Sequence, residues 1–367
     1  METAAPNASA NFRVLALQVR EAGLFTRRPR YDGVKIALTI ATYVCGWVAF
    51  VIVGNSWDAL ALGVCFGLLY TQLGFLGHDA GHHQIFGSPR ANRLLGLTVG
   101  NAMIGLSFGW WVPKHCAHHA HPNEPGRDPD VVGGMFSSNG ERAGRWSIPG
   151  MLTRWQAPLF FPLMLLRSTG LHVSGVHQLL HRRDRAAITE ATLLVLHAAM
   201  YLTLVFVVLS PLKALAFVAV QQAVFSVYLG CSFAPNHKAM PLIQPGTPMS
   251  FARRQVLTAS NVTGGRALTF ALGGLNYQIE HHLFPSMPRS NLRRAQGLVK
   301  EFCAQSQLEY CEVSLVESFR RIIRHLRIAS TADDGPDARL PDPAADPATD
   351  PATDPATDPV ALRGVPH

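Results

Sequence analysis

The chain has 367 residues, of which 48% are hydrophobic and only 15% are charged, whereas roughly 25% of the residues of a typical soluble domain are charged. The apolar share excludes a chain that is disordered throughout, and the low charge argues against an ordinary soluble enzyme. The formal net charge of +8 would suit a nucleic-acid-binding protein, but the basic residues flank long apolar runs instead of forming a patch of their own. This arrangement favours a membrane protein.

Four apolar segments without Asp, Glu, Lys or Arg are long enough to cross about 30 Å of hydrocarbon. They occupy residues 36–53, 59–77, 191–209 and 214–234. Only short turns join the first to the second and the third to the fourth, so the segments pair into two hairpins. Basic residues precede each hairpin, and the positive-inside rule therefore predicts a cytoplasmic N-terminus and a cytoplasmic segment between the hairpins. The sequence predicts an all-α membrane protein with four transmembrane helices.

The first histidine cluster follows the second apolar segment. His78 and His82 stand one helical turn apart, and residues at i and i+4 lie on one face of a helix. We expect this pair at the cytoplasmic end of the second span. Residues 94–112 form another uncharged stretch, which four glycines interrupt. A crossing there would separate the first cluster from the second, so a re-entrant or interface-lying helix is expected.

The second cluster is the densest, with four histidines in a run of seven residues. His115, His118 and His119 stand at i, i+3 and i+4, which places their imidazoles on one helical face within reach of a shared metal ion. Another i, i+4 pair, His177 and His181, stands among arginines and is expected to face solvent or lipid headgroups.

The third cluster holds His281 and His282 beside Gln278 and Glu280, and His237 follows the fourth apolar segment. Even numbers of spans between the clusters place all of them on the cytoplasmic side. Eight histidines are too many for one ion, since a structural zinc takes four ligands, and the count favours two metal ions. Imidazole suits iron, zinc, copper and nickel, so the ligand type leaves the metal open.

These clusters resemble the three histidine boxes of the integral-membrane fatty acid desaturases. The matching motifs are H-x-x-x-H at His78 and His82, H-x-x-H-H at His115, His118 and His119, and Q-x-x-H-H at Gln278, His281 and His282. The glutamine that opens the third box, the Leu283-Phe284-Pro285 after it and the Asp128-Pro129-Asp130 loop resemble the front-end branch of that family. Front-end enzymes act between an existing double bond and the carboxyl end of the chain.

The resemblance implies a non-haem centre of two iron ions, with O2 as co-substrate, in a cytoplasmic helical cap on the four spans. It also implies an extra ligand after the fourth span, here His237, and no catalytic side chains beyond the metal ligands. Candidates to orient the ligands or to hold a water are Asp79, Asn236, Gln278 and Glu280. A solvated charge is the competing interpretation of Glu280.

The sequence shows no His-Pro-Gly-Gly motif of the fused cytochrome domain that many front-end enzymes carry. The pattern therefore resembles bacterial acyl-CoA or acyl-lipid desaturases of the inner membrane, with the active site facing the cytoplasm. We expect a fatty acyl substrate, no nucleic-acid partner, and electrons from a separate ferredoxin, cytochrome or flavoprotein reductase that uses NAD(P)H.

The expected domains are a cytoplasmic lead over residues 1–33, a membrane domain over residues 34–330 and a tail over residues 331–367. The tail repeats Asp-Pro-Ala-Thr, and such a proline-rich, weakly apolar repeat is predicted to be disordered.

Two other kinds of function remain open. Membrane hydroxylases, ketolases and alkane monooxygenases use similar boxes and the same pair of metal ions. A metal transporter or sensor belongs to a different class, but transport requires ionisable groups inside the spans. Only His197 meets that requirement among the histidines, so the sequence favours the desaturase.

Overall fold

A computed structural model of the chain describes residues 8–131 and 155–331, with side chains as far as residue 328. Residues 332–367 of the predicted tail and the first seven residues of the lead lie outside the described residues, whereas Thr331 still belongs to the last helix. The described part is mostly helical. Its elements are α1 (Ala8–Glu21), α2 (Pro29–Val53), α3 (Ala59–Gly81), α4 (Pro89–Gly96), a π-helix (Leu97–Ile104), α5 (Phe108–Ala120), α6 (Phe160–Met164), α7 (Arg167–Leu180), α8 (Arg185–Val208), α9 (Pro211–His237), α10 (Phe251–Leu257), β1 (Asn261–Thr263), α11 (Arg266–Ala271), α12 (Gln278–Leu283), α13 (Arg289–Gln305), β2 (Glu312–Ser314) and α14 (Leu315–Thr331).

Four helices within the described ranges are long and apolar enough to cross a membrane, and they are α2, α3, α8 and α9. Each covers one of the four apolar segments, except that the third helix ends at Val208, one residue before the end of its segment. This agreement confirms the predicted spans and the predicted helical membrane fold. The protein is therefore an integral membrane protein. The first histidine pair continues the second of these helices, because His78 lies in its last turn and His82 follows as its C-cap. The fourth helix ends at His237.

Local chemistry sets the ends of the spanning helices. The carboxylate of Asp184 accepts a hydrogen bond of 2.9 Å from the backbone N–H of Ala187, which caps the start of α8. Pro29 and Pro211 each open a helix, where the missing N–H of proline has no partner to lose. Gly54 ends α2 with a φ of 63°, a left-handed conformation that glycine adopts without steric penalty.

The chain forms two compact units. Residues 27–114 and 161–232 form the first, here called the membrane unit, which contains α2, α3, α8 and most of α9. Residues 8–26, 115–131, 155–160 and 233–331 form the second, here called the histidine unit, which contains most of the predicted ligands.

Helices α3 and α9 approach each other closely in the membrane unit. A side chain in place of Gly67 would put its Cβ 2.8 Å from the backbone oxygen of Gln221 and 2.6 Å from Cβ of Val224. Small residues allow such approaches between membrane helices, where dispersion contacts and not the hydrophobic effect drive packing. Aromatic rings fill the neighbouring space, with the centroids of Phe50 and Phe217 4.8 Å apart.

The uncharged segment 94–112 is broken. The helices Pro89–Ile104 and Phe108–Ala120 meet at an angle of 115°, and Gly105 stands between them with a φ of 73°. The buried carboxylate of Glu190 accepts 2.9 Å hydrogen bonds from the Ser107 hydroxyl and the Gly109 N–H, so it caps the start of α5. The segment does not cross as one continuous helix; whether it is re-entrant or interfacial stays a prediction.

Two histidines satisfy backbone carbonyls that the break exposes. Nδ1 of His172 lies 2.8 Å from the carbonyl oxygen of Gly105, and Nδ1 of His197 lies 3.0 Å from that of Ala102. Irregular backbone at membrane depth is tolerated where protein groups replace the missing hydrogen bonds. His197 therefore stabilises the backbone of the break.

The core of the histidine unit joins helices that are far apart in sequence. Leu15 of α1, Val256 of α10, Ile279 of α12 and Val299 of α13 are all buried in one cluster. The two short strands pair in parallel, with Asn261 opposite Glu312, and are the one departure from an all-helical fold within the described residues. This core holds α12, which carries the third histidine cluster.

Candidate metal centre

The membrane unit carries the first predicted pair of ligands at the end of α3. The rings of His78 and His82 lie 4.7 Å apart between centroids. Asp79, a candidate for orienting them, has Oδ2 3.2 Å from Nζ of Lys35. Its Oδ1 lies 3.7 Å from Nδ1 of His78, beyond hydrogen-bonding distance. The carboxylate of Asp79 therefore forms an ion pair with Lys35.

The histidine unit brings together the other six predicted ligands, which are His115, His118, His119, His237, His281 and His282. Three separate elements supply them: α5, the end of α9, and α12. The ring centroid of His118 lies 4.7 Å from that of His237 and 5.2 Å from that of His282. The ring centroid of His119 lies 4.8 Å from that of His281 and 4.2 Å from that of His282.

Helical spacing explains how α5 and α12 present these rings. In α5, one turn separates His115 from His119, and their Nε2 atoms lie 3.1 Å apart. In α12, His281 and His282 are neighbours, and consecutive residues of a helix point about 100° apart. Their ring planes are nearly perpendicular, with an interplanar angle of 88°.

Three of these imidazoles converge from all three elements. His118, His237 and His282 each offer a ring nitrogen, and these atoms lie within 4.8 Å of one another. A metal bound by imidazole nitrogens at about 2 Å from each would bring its ligand atoms to such mutual distances. The trio is therefore a candidate metal site within the histidine unit.

A buried carboxylate orients His118. Nδ1 of His118 lies 3.0 Å from Oδ2 of Asp128, whose two oxygens also accept 2.8 Å hydrogen bonds from the backbone N–H groups of Asn123 and Asp130. Burial alone raises the pKa of the Asp128 carboxyl, but the hydrogen bond and charge of His118 outweigh it, so the pKa lies below its ordinary value. Carboxylates of this kind fix the tautomer of metal-binding histidines.

A backbone carbonyl and an amide orient His237. Its Nδ1 donates to the carbonyl oxygen of Thr258 at 2.8 Å. Its Nε2 accepts a hydrogen bond of 2.9 Å from the side-chain amide of Gln278, and Asn236 donates to Oε1 of that glutamine at 3.2 Å. Asn236 and Gln278, both predicted to orient ligands, thus lie in one chain of contacts that ends at His237.

An amide orients His282. Its Nδ1 lies 2.9 Å from Oε1 of Gln255, and Nε2 of Gln255 donates to the carbonyl oxygen of His119 at 2.9 Å. Since an amide oxygen only accepts, Nδ1 of His282 carries the proton.

These contacts test whether the residues fit a metal ion. In His118, His237 and His282, Nδ1 faces a carboxylate, a carbonyl or an amide oxygen, so Nδ1 carries a proton and Nε2 is the nitrogen that can face a metal. In His237 a metal would replace the Gln278 amide as the partner of Nε2. Neutral imidazole with the second nitrogen hydrogen-bonded is the form in which histidine binds metals. The donor set fits a transition metal that prefers nitrogen.

Glu280 is buried, not solvated, with 0% of its surface exposed. Its carboxylate accepts hydrogen bonds of 2.7 Å from the Asn261 amide and from the Tyr310 hydroxyl. Burial, above all, raises the pKa of this carboxyl. The Glu280 side chain therefore links α12 by hydrogen bonds to β1 and to the segment before β2.

Sequence reasoning missed Gln255 and the Thr258 carbonyl as partners of the ligands, and it treated Asp128 only as part of a family motif. Asp128 offered a signal, since it follows the second cluster in a turn-forming Asp-Pro-Asp sequence. Gln255 offered none, because an amide that stands 27 residues before His282 has no recognisable spacing.

The fold and these contacts define an integral membrane protein with a histidine-rich candidate metal centre. The family model described as fatty acid desaturase matches residues 55–314. The chain therefore belongs to the fatty acid desaturase family, which confirms the predicted resemblance and identifies an oxidoreductase.

Named relatives agree with this assignment. A Delta(8)-fatty-acid desaturase of Helianthus annuus is 26% identical over 343 residues, covering 88% of this chain and 73% of the relative. A Delta 8-(E)-sphingolipid desaturase of Kluyveromyces lactis is 30% identical over 341 residues, covering 87% of this chain and 59% of the relative. The Delta(5) fatty acid desaturase fat-4 of Caenorhabditis elegans is 33% identical over 313 residues, covering 82% of this chain and 69% of the relative.

Proposed function

We propose that this protein introduces a double bond into a fatty acyl chain, carried by CoA or by a lipid, in an O2-dependent reaction at two iron ions. The observation that carries the proposal is the convergence of His118, His237 and His282, whose ligand nitrogens lie within 4.8 Å of one another. Family membership then supports desaturation as the chemistry.

The proposed ligands are the eight predicted histidines, which are His78, His82, His115, His118, His119, His237, His281 and His282. Eight imidazoles exceed what one ion accepts, which supports two ions. Iron, when bound there, supplies the oxidising power, drawn from O2, that removes hydrogen from two adjacent methylenes. No protein side chain is required as an acid or base in this proposal.

The protein's own residues then have a positional role. Asp128, Thr258 and Gln255 hold three imidazoles in one tautomer and one orientation, through contacts of 3.0, 2.8 and 2.9 Å. An acyl chain offers many nearly identical methylenes, and misplacement by about 1 Å can lower a rate on the order of 100-fold. A rigid ligand set of this kind supports selection of one methylene pair.

Electron balance requires a donor. Reduction of O2 to two waters takes four electrons, and formation of one double bond supplies only two. We propose that a separate ferredoxin, cytochrome or flavoprotein reductase supplies the other two from NAD(P)H. The positive-inside pattern supports an inner-membrane location with the metal centre on the cytoplasmic side.

Hydroxylation, ketone formation and alkane oxidation are the competing chemistries at such a centre. Names of the relatives describe desaturases of fatty acids and sphingolipids, and this favours removal of two hydrogens over insertion of oxygen. Family membership also disfavours a metal transporter or sensor.

The test is product analysis in a host with a defined fatty acid composition. We expect products lighter by two hydrogens than their precursors, dependent on O2 and on a reductant, and purified protein that contains iron. Products heavier by one oxygen would replace desaturase with hydroxylase. Zinc-loaded protein that consumes no O2 would overturn the proposal.

A further inference from the structure

Gln255 makes two contacts that join separate histidine boxes. Its Oε1 lies 2.9 Å from Nδ1 of His282, in the third box. Its Nε2 donates to the carbonyl oxygen of His119, in the second box, at 2.9 Å. Gln255 itself lies on α10, outside every box, and is fully buried with 0% exposure.

The hydrogen bond of Gln255 to His119 determines which atom of its amide faces His282. An amide nitrogen only donates and an amide oxygen only accepts, so donation to the His119 carbonyl turns Oε1 toward His282. The ring of His282 must then protonate Nδ1 and keep its lone pair on Nε2. One amide thereby fixes both the orientation of the His282 ring and the nitrogen that is available to a metal.

Burial strengthens the preference of the His282 ring for this one orientation and tautomer. His282 is 1% exposed and Gln255 is 0% exposed, so bulk water does not compete for either end of the amide. A buried polar group that loses its partner pays its full desolvation penalty. The arrangement with both amide contacts made is therefore strongly favoured over a flipped ring.

We propose that Gln255 is a positioning residue that couples the second and third histidine boxes and sets the metal affinity of His282. The inference rests on the proposed metal centre and deepens it. Gln255 acts through His282, the proposed ligand that its amide oxygen faces.

Two substitutions of Gln255 distinguish the roles of its two hydrogen bonds. Gln255→Ala removes both, and loss of a partner of a metal-binding histidine typically lowers metal affinity about 10-fold to 100-fold. Gln255→Glu keeps the shape and the acceptor for Nδ1 of His282 but lacks the amide N–H that reaches His119. We expect its metal affinity to lie between those of the wild type and Gln255→Ala.

The matched control is Val256→Ala on the same helix. Val256 is fully buried in the core of the histidine unit, so its truncation destabilises α10 without removing a hydrogen bond to a histidine. Thermal unfolding shows whether the control and Gln255→Ala are destabilised to a similar extent.

The experiment titrates full-length, metal-free protein in detergent with Co²⁺, and it records binding and visible absorption. We expect weaker Co²⁺ binding and a changed absorption band for Gln255→Ala, partial recovery of Co²⁺ binding in Gln255→Glu, and wild-type binding for Val256→Ala. Gln255→Ala that binds Co²⁺ as tightly as Val256→Ala would overturn the inference, and so would Gln255→Glu that binds as weakly as Gln255→Ala. Wild-type protein that binds neither Co²⁺ nor iron would overturn the proposed function, and this inference with it.

Discussion

His118 and Asp128 form a buried pair in which Nδ1 of the imidazole lies 3.0 Å from a carboxylate oxygen. Ten residues separate them in sequence, and the turn between them returns the carboxylate to the helix that carries the histidine. The pair fixes the ring of a proposed metal ligand by charge as well as by direction.

Asp128→Asn should weaken metal binding with little change in shape. The amide still offers an oxygen to Nδ1 of His118, but it loses the charge and the second oxygen, which accepts from the N–H of Asp130. Changes to such partners lower metal affinity about 10-fold to 100-fold. Iron content per purified chain and Co²⁺ titration measure the effect. The control is Asp130→Asn, because Oδ2 of Asp130 lies 3.9 Å from that nitrogen, beyond hydrogen-bonding distance. Equal metal affinity in the two variants would contradict the prediction.

His118→Ala and His282→Ala should each abolish desaturation and lower the iron content, since each removes a proposed ligand. His177→Ala should retain most activity and iron, because this ring lies on the exposed surface of α7. Product yield in the expression host, divided by the amount of protein in the membrane, measures activity. Full turnover in His118→Ala would show that the proposed ligand set is wrong.

Glu124→Gln should destabilise the histidine unit at neutral pH. Glu124 is 1% exposed, and it forms ion pairs with Arg254 and, at 3.2 Å, with Arg127. Burial alone raises the pKa of Glu124, but the charges and hydrogen bonds of the two arginines outweigh it and place the pKa below its ordinary value of 4.5. Arg127 is 54% exposed and Arg254 is 15% exposed, so solvent screens part of the attraction, and we expect a cost of about 1–3 kcal/mol.

The sign of the pH effect follows from the lowered pKa of Glu124. Its stabilising contribution is complete above about pH 4.5 and is lost as the pH falls through the lower pKa of the folded state. The difference in thermal unfolding temperature between the wild type and Glu124→Gln should therefore shrink in acid. Glu317→Gln is the control, since its pair with Arg321, at 3.4 Å, is exposed and should contribute less than about 1 kcal/mol. A difference that grows in acid would refute the assignment.

Gly67→Ala should destabilise the membrane unit. The added Cβ would lie 2.6 Å from Cβ of Val224, so α3 and α9 would have to separate, and overpacking of this kind costs about 1–3 kcal/mol. Gly74→Ala on the same helix is the control, because its Cβ would meet Leu229 at an ordinary 4.0 Å. Thermal unfolding in detergent and the yield of folded protein measure both. Equal stability of the two variants would show that α3 and α9 do not pack as described.

The spans and the ligand types could be predicted from the sequence because both depend on local order. Apolar length determines whether a helix can cross a bilayer, and a spacing of three or four residues determines which imidazoles share a helical face. The i, i+4 rings of His115 and His119 in α5 follow directly from that spacing.

The tautomer and the ring orientation of each proposed ligand depended on the tertiary structure. Gln255 reaches His282 across 27 positions and Thr258 reaches His237 across 21, and no local pattern encodes such contacts. The break after Ile104 is similar, because the carboxylate that caps the start of α5 belongs to α8, 81 residues beyond Gly109. Spacing selects residues that can bind a metal, whereas hydrogen-bond partners brought in from distant elements decide which nitrogen carries the proton and where the ring points.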